Sequence, residues 1–401
     1  MFTVAASFGL VLPLAPDLVR ATQGAAGDTA LHAGGLTGVY MVAITIFAPV
    51  WGRLSDRAGR RWVLVAGLAG FALSMAGFGW VQSLPALYLQ RALSGLFAAG
   101  VAPVAAAAVA DAAPSDQWRA SRMAWLNMAS IGGFVLGPSL SVWVRGAAEA
   151  AASPSPAGVL APFAAAALVA VLAAGGIAFT LPDGPTETPR DLAPTADRLL
   201  GGLLLALAFA VSLIVGVFEV AVSLRSGGLA AASSGEVAAM FAVCSLVMFL
   251  VQAVLFSPLV RAEHTWRLLA PGFALLAAAL FLSAAASGLG EALVAVTIIA
   301  ASAGAVSPTL AYWQSLLAGR RQGAQLGRQT AAASLGQAVG STAGGLLLSR
   351  FGGADPFLWS AALAAGGGLA ALIAVRRLRR HALSIPAADP RSTASNKPSL
   401  R

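Results

Sequence analysis

The hydrophobic residues of this chain fall into twelve long runs, which charged residues, prolines and turn residues separate from one another. Each run has roughly the 20 residues that an α-helix needs to cross the hydrocarbon core of a bilayer. The pattern therefore predicts an all-α membrane protein with twelve transmembrane helices. The predicted spans are residues 2–19, 34–53, 62–82, 84–109, 121–144, 158–181, 199–223, 235–259, 267–287, 291–316, 325–349 and 356–375.

Composition supports this interpretation. Of the 401 residues, 58 % are hydrophobic and only 10 % are charged, whereas soluble domains have about 45–50 % apolar and about 25 % charged residues. So few charges cannot cover a soluble surface, which argues against a cytosolic enzyme, a disordered chain and a nucleic-acid-binding domain. The single cysteine, Cys244, excludes an internal disulfide and a cysteine-rich metal site.

The basic residues indicate the orientation. Twenty of the 25 lie on one side of the predicted bundle, in or beside its loops and in the C-terminal tail. Because cytoplasmic loops are enriched in Lys and Arg, this side is expected to face the cytoplasm. The net charge of +9 is explained by that topology. We therefore expect a multi-pass protein of the inner (plasma) membrane, embedded in the lipid bilayer, with both termini cytoplasmic.

A proline-rich segment of mixed charge divides the chain. Residues 182–198 contain four prolines and no apolar face, and they predict a cytoplasmic linker. The linker separates two six-helix halves, 1–181 and 199–375. Residues 376–401 begin with four arginines and then become polar, which predicts a basic, disordered cytoplasmic tail.

A weak internal repeat supports this division. Arg57 and Trp62 recur 204 positions later as Arg261 and Trp266, and a short run that starts at Ser130 recurs at the same offset. Two parallel six-helix repeats are a known transporter plan, with the substrate site between them near the middle of the bilayer.

The loop after the second span carries the most specific motif. Residues 52–61 read Gly-Arg-Leu-Ser-Asp-Arg-Ala-Gly-Arg-Arg. This loop closely resembles the signature of the major facilitator superfamily, which follows the second of twelve helices. The resemblance implies two six-helix halves around a central cavity that opens alternately to the two sides of the membrane.

Two further elements in the first half extend the resemblance to that family. Arg91 with Gly95 is similar to its helix 4 element, and Gly133, Gly137 and Pro138 are similar to the helix 5 element of drug/proton antiporters. The first half as a whole resembles tetracycline exporters. Two positions depart from that pattern, since the helix 5 element ends in Ser141 instead of glycine and Val4 stands where those exporters carry an acid.

The resemblance implies a gating latch at the loop between helices 2 and 3. Asp56 would lie near the N-terminus of helix 11, where unsatisfied N–H groups favour an anion. The adjacent arginine would pair with an acid at the end of helix 4, which is Asp111, with Asp116 in reserve. An alternative is that the arginines only set topology. The candidate latch residues are Gly52, Asp56, Arg57, Gly59, Arg60, Arg61 and Asp111.

Two charged residues inside spans are candidates for proton coupling. Arg91 is the only basic residue well within a span, where a charge costs at least ~2.5–3.5 kcal/mol. Glu219 is the clearest acid within a span, and a carboxyl group that is neutral facing one cavity and charged facing the other can carry a proton. The alternatives are structural pairing or snorkelling for Arg91, and contact with outside water for Glu219.

Helix 5 and several polar residues supply the remaining candidates. Gly133, Gly137 and Pro138 form a small face and a break, which predict a hinge or a tight contact with helix 8; generic packing is the alternative. Polar and aromatic residues within spans are candidates for lining the substrate cavity. These are Asn127, Gln252, Tyr312 and Gln314.

Nothing in the sequence favours catalysis. The three histidines are too dispersed for a metal site, and no phosphate-binding loop is present, so we expect no metal, no cofactor and no enzyme. The predicted function is proton-coupled export of a small organic molecule, a drug or a natural product such as a siderophore, by a functional monomer. Alternatives are a proton-coupled importer of a small metabolite and, in a different class, a non-transporting membrane sensor or enzyme.

Overall fold

The computed structural model describes residues 1–23, 29–151, 157–181, 198–225, 234–255, 260–286, 288–318, 321–351 and 355–384. All regular structure in these ranges is helical. The twelve α-helices are α1 (Phe2–Gln23), α2 (Thr29–Ala58), α3 (Arg60–Gly77), α4 (Leu84–Asp111), α5 (Asp116–Ala151), α6 (Ala157–Thr180), α7 (Arg198–Arg225), α8 (Ser234–Leu255), α9 (Leu269–Ala285), α10 (Leu289–Leu317), α11 (Gln322–Phe351) and α12 (Asp355–Ser384).

Most of these helices have the dimensions of membrane spans. Within the described residues, eight helices are long and apolar enough to cross a bilayer: α2, α3, α4, α6, α7, α9, α10 and α12. The prediction of an all-α, multi-pass membrane protein with twelve helices is confirmed. The division into two six-helix repeats stays a prediction.

The helices differ from the predicted spans mainly at their ends. α2 continues to Ala58 and α5 begins at Asp116, because polar residues next to an apolar run still favour helix once the run is packed. The prediction of a disordered tail from residue 376 is wrong at its start, since α12 continues to Ser384. Arg, Leu and Ala are good helix formers, so this amphipathic stretch extends the helix. The predicted linker lies outside the described residues, apart from Arg198, which begins α7.

Two large apolar clusters form most of the core of the described residues. The first combines side chains of α1–α4 and α6, and it includes a stacked pair, Phe78 and Phe163, with ring centroids 4.5 Å apart. The second draws mainly on α7, α9, α10 and α12, and Phe273 lies fully buried within it. Between the first and last six helices, α2 and α4 contact α11, while α5 contacts α8 and α10.

Helix α11 contacts helices of both groups, namely α2 and α4 of the first six and α7, α10 and α12 of the last six. Its glycines explain how it approaches them so closely. Cβ atoms at Gly336 and Gly340 would meet the backbone of α7, and one at Gly327 would meet the backbone of α2 at Ala48. In a membrane, apolar side chains gain little free energy by leaving lipid, so helix association depends on close packing. Small residues permit it because they let the two backbones touch.

The α7–α11 contact generates a stability prediction. Gly340→Ala places a methyl group against the carbonyl of Leu213, so we expect it to lower the free energy of unfolding by roughly 1–3 kcal/mol. Gly366→Ala in α12 is the matched control, because a Cβ there meets nothing within 4 Å. Thermal unfolding in detergent measures both variants. Equal midpoints for the two variants would contradict the close contact.

Candidate functional site

The carboxylate of Asp56, near the end of α2, binds the first turn of α11. Its Oδ1 accepts a hydrogen bond from the N–H of Gly323 at 2.9 Å, and its Oδ2 accepts one from the N–H of Ala324 at 2.8 Å. Both N–H groups belong to the first turn of the helix, where no intrahelical acceptor exists. The positive end of the helix dipole adds to this attraction.

Arg60 joins this carboxylate to a second one. Its Nη1 lies 2.7 Å from Asp56 Oδ1, and its Nε donates to Oδ2 of Asp111, the last residue of α4, at 2.8 Å. Nη1 also donates to the hydroxyl of Ser55 at 2.7 Å. Hydrogen bonds to charged groups are worth about 1.5–3 kcal/mol each. We call Asp56, Arg60, Asp111 and the N-terminal turn of α11 the α2–α11 latch.

Asp111 has the position expected from the motif, but its basic partner is different. The expected partner was the arginine adjacent to Asp56, which is Arg57, whereas the observed partner is Arg60, one helical turn after Asp56. Arg57 is exposed instead. Arg61 packs its guanidinium group over the ring of Trp62, 5.2 Å from the centroid.

Two glycines of the motif have steric roles in this geometry. Gly59 separates α2 from α3 with φ of 90°, a conformation that side chains with a Cβ rarely adopt. Gly52 faces the carbonyl of Gly323, which would collide with any Cβ at position 52. Gly59 therefore permits the turn that brings Arg60 back to Asp56, and Gly52 permits α11 to approach α2.

A mostly apolar cavity of about 280 Å³ lies between helices of the first and last six. Among the described residues that line this cavity, Glu219 of α7 is the only acidic one, so we call the cavity the acid cavity. Oε2 of Glu219 accepts a hydrogen bond from Nε2 of Gln337 on α11 at 3.1 Å. Its wall is otherwise mainly aromatic and aliphatic, with Phe8, Phe134 and Phe218 among the lining residues.

A second cavity of about 250 Å³ lies one to two turns further along α7, towards Arg198. Its polar lining includes the amides Asn127, Gln329 and Gln337, so we call it the amide cavity. Gln329 is 9 % exposed, and its Oε1 has no hydrogen-bond partner within the described structure. Gln337 lines both cavities, which makes it the polar group that connects them.

Arg91 does not line the acid cavity, although it lies near Phe8, one of the lining residues. Its side chain is 2 % exposed, and its guanidinium carbon lies 4.6 Å from the Tyr40 ring centroid and 5.8 Å from that of Phe8. A desolvated cation–π contact contributes about 2 kcal/mol, which offsets much of the ~2.5–3.5 kcal/mol insertion cost of an arginine. Of the two proton-coupling candidates, only Glu219 therefore lines the acid cavity, while Arg91 contacts Phe8 in its wall.

The glycines of α5 pack tightly, but against a different helix from the one expected. Cβ atoms at Gly133 and Gly137 would collide with backbone atoms of α1 near Phe2 and Ala6, whereas the sequence analysis expected a contact with α8. The side chain of Pro138 lies outside the described residues. The spacing correctly indicates a close helix contact, but spacing alone cannot identify the partner helix.

Among the four predicted cavity residues, only Asn127 lines one of the two central cavities. Gln252 and Gln314 are fully buried, and neither lines the acid or the amide cavity. Tyr312 packs edge-on against Trp313 in the apolar core. A polar residue in a span can face a neighbouring helix as well as a cavity, so a role of these three residues in lining the substrate cavity stays a prediction.

Two cavity residues were missed in the sequence. Gln329 and Gln337 are eight residues apart, which is about two turns, so they lie on one face of α11. Two glutamines on one face of an apolar helix are a signal in the sequence that this face meets a polar cavity. Within the described residues, no group of His, Cys, Asp or Glu side chains is arranged to hold a metal ion.

Comparisons with known proteins agree with this architecture. The family model of the Major Facilitator Superfamily matches residues 1–325. Multidrug resistance protein 2 of Bacillus subtilis (strain 168) is 26 % identical over 366 residues, which cover 86 % of each chain. The tetracycline resistance protein, class B, of Escherichia coli is 41 % identical over 135 residues, a stretch that covers only 33 % of each chain.

Solved structures share the fold at low sequence identity. The crystal structure of the human organic anion transporter MFSD10 (TETRAN) has a TM-score of 0.71 and 21 % identity, covering 92 % of this chain and 96 % of that one. The proton:xylose symporter XylE also has a TM-score of 0.71, with 16 % identity over 94 % and 93 % of the two chains. The family suggested by residues 52–61 is thereby confirmed.

The α2–α11 latch generates a prediction about backbone protection. Asp56→Asn keeps the side-chain shape but loses the charge that binds Arg60 and one acceptor for the α11 N–H groups. We expect hydrogen exchange at residues 322–328 to become about tenfold to a hundredfold faster, measured by mass spectrometry of the detergent-solubilised protein.

Asp116→Asn is the matched control for this measurement. It removes the same charge near the start of α5, away from the bonds that join Asp56, Arg60 and Asp111. Unchanged exchange in Asp56→Asn, or equal acceleration in both variants, would argue against the observed bonding.

Proposed function

The chain belongs to the major facilitator superfamily and is a membrane transporter rather than an enzyme, and we propose that it exports a small organic molecule in exchange for protons. The observation that carries this proposal is the position of Glu219. It is the acidic residue of a mainly apolar cavity whose walls come from both the first and the last six helices.

Glu219 has the properties that a coupling carboxyl group needs. In apolar surroundings, a charged carboxylate is costly in free energy unless something compensates its charge. Either a proton or a bound substrate can do so, and the two therefore compete at one site. The amide of Gln337 satisfies one oxygen of Glu219 without neutralising its charge. A proton that enters from outside would thus release a bound substrate, and loss of that proton to the cytoplasm would restore the charged site.

Export is favoured over import by the relatives. Two of them, from Bacillus subtilis and Escherichia coli, are named for drug resistance, and the first aligns over most of both chains. A lipophilic drug or a natural product such as a siderophore fits a cavity with an aromatic wall and one acid. Proton-coupled import of a small metabolite is the competing function, and the transport assay below separates the two.

The proposed mechanism is alternating access between two six-helix halves, residues 1–181 and 199–375, joined by the linker 182–198. The arginine-rich end, where α2 and α4 finish and α7 and α11 begin, would face the cytoplasm, with both termini on that side. The protein would act as a monomer in the bacterial inner membrane. The α2–α11 latch would hold the cytoplasmic side closed and break when the transporter opens inward.

The proton-coupling role generates a transport prediction. In everted membrane vesicles with a proton gradient, we expect a transported compound from a panel of antibiotics, cationic dyes and siderophores to discharge the gradient. Glu219→Gln should abolish this discharge, because glutamine keeps the shape but cannot release a proton. Since glutamine resembles the protonated state, substrate binding, measured by fluorescence or calorimetry, should be weaker than in the unaltered protein but still detectable.

Glu291→Gln is the matched control, since this exposed acid lies in the first turn of α10 and outside both central cavities. It should transport like the unaltered protein. Proton-coupled transport that persists in Glu219→Gln would refute the role of this residue. Uptake into intact cells, with no response in everted vesicles, would favour an importer.

The latch role generates a separate transport prediction. Asp56→Asn should lower turnover at least about tenfold, because the inside-closed state loses charge-assisted hydrogen bonds worth about 1.5–3 kcal/mol each. Membrane abundance, measured by immunoblot, should stay normal. Normal turnover at normal abundance would reduce the motif to a topology signal.

A further inference from the structure

A third cavity, of about 790 Å³, opens at the arginine-rich end beside the α2–α11 latch. Its volume lies within the range of roughly 300–1,000 Å³ that is typical of small-molecule sites. We call it the arginine cavity. Its charged lining residues are Arg53, Asp56, Arg57, Arg198, Arg321 and Arg328.

The charge of this cavity is strongly unbalanced. Its lining carries five guanidinium groups and one carboxylate, a formal charge of +4. That carboxylate, on Asp56, is already engaged by two backbone N–H groups and by Arg60. Within the described part of the chain, none of the five arginines forms an ion pair with an acid.

Membrane topology alone does not account for this arrangement. The positive-inside rule is satisfied by arginines anywhere on that face, including exposed ones such as Arg122 and Arg267. The five cavity arginines are exposed as well, but placing them around one concavity adds mutual repulsion, which a multivalent anion would relieve. Arginine forks match phosphate oxygens bidentately, so phosphate is the anion that suits such a cluster best.

We propose that the arginine cavity binds a phosphate-bearing anion, either the headgroup of an anionic phospholipid or a soluble phosphate. Its arginines come from α2, from α7 and from the start of α11. A bound phosphate therefore connects α2 to α7 and α11. Since the α2–α11 latch joins two of the same helices, occupancy of the cavity stabilises the latched arrangement.

Binding assays test this site without any transport substrate. In one arm, the protein is reconstituted in nanodiscs of phosphatidylcholine alone or with phosphatidylglycerol, and retained lipid is measured by native mass spectrometry. In the other arm, inorganic phosphate is titrated into the detergent-solubilised protein and the unfolding midpoint is followed. A response to phosphatidylglycerol alone identifies a lipid headgroup, and a response to inorganic phosphate identifies a soluble ligand.

Paired variants locate the binding. Arg198→Gln/Arg328→Gln removes two cavity charges, and we expect the affinity in the responding arm to fall roughly tenfold or more. Arg122→Gln/Arg267→Gln removes two exposed charges outside the cavity lining, and its affinity should stay within about twofold.

Three outcomes would overturn the proposal. These are no response of the unaltered protein in either arm, an equal loss of affinity in both double variants, and retained affinity in Arg198→Gln/Arg328→Gln. Circular dichroism establishes that both variants are folded. Because neither arm measures transport, a failed efflux assay would leave this result standing, and a failed binding assay would leave the efflux proposal standing.

Discussion

The bond between the Asp56 carboxylate and the N-terminal turn of α11 is the constraint on which the arginine-rich end depends. Two N–H groups without intrahelical partners would be costly to leave unsatisfied at a membrane edge, and a carboxylate satisfies both. Holding α11 there brings its glycines against α2 and α7. The position of α11 in turn fixes Gln329 and Gln337, and hence the polar walls of both central cavities.

Polar groups follow α7 in a graded order from one end of the helix towards the other. Arginines line its start, amides line the cavity near Ser212, and a single acid lines the cavity at Glu219. From Arg198 to Glu219 this order extends over about 30 Å of helix, comparable to the hydrocarbon thickness of a bilayer. The charged groups therefore lie towards the ends of this path, and its middle is polar but neutral.

Sequence predicted the parts of this protein that depend on local pattern. Apolar runs gave the twelve helices, and residues 52–61 identified the family and placed Asp56 and Asp111. It did not predict which helix each glycine of α5 meets, because a four-residue spacing defines a face and not its partner. Gln252 and Tyr312 line neither central cavity for a related reason: the α-helical period shows which residues share a face, while tertiary packing decides what that face meets.

Where α2 meets α11 the main chains pack directly on each other, because a Cβ atom at Gly52 or at Gly323 would collide with the backbone of the facing helix. A surface without side chains has no rotamers to reset when the helices part and meet again. Separation at such a surface costs little side-chain entropy and leaves few interlocked groups to disengage. In the proposed alternating-access mechanism, the kinetic barrier to opening at the latch would therefore come mainly from its charged hydrogen bonds, and a change of one ionised group would alter the rate of opening.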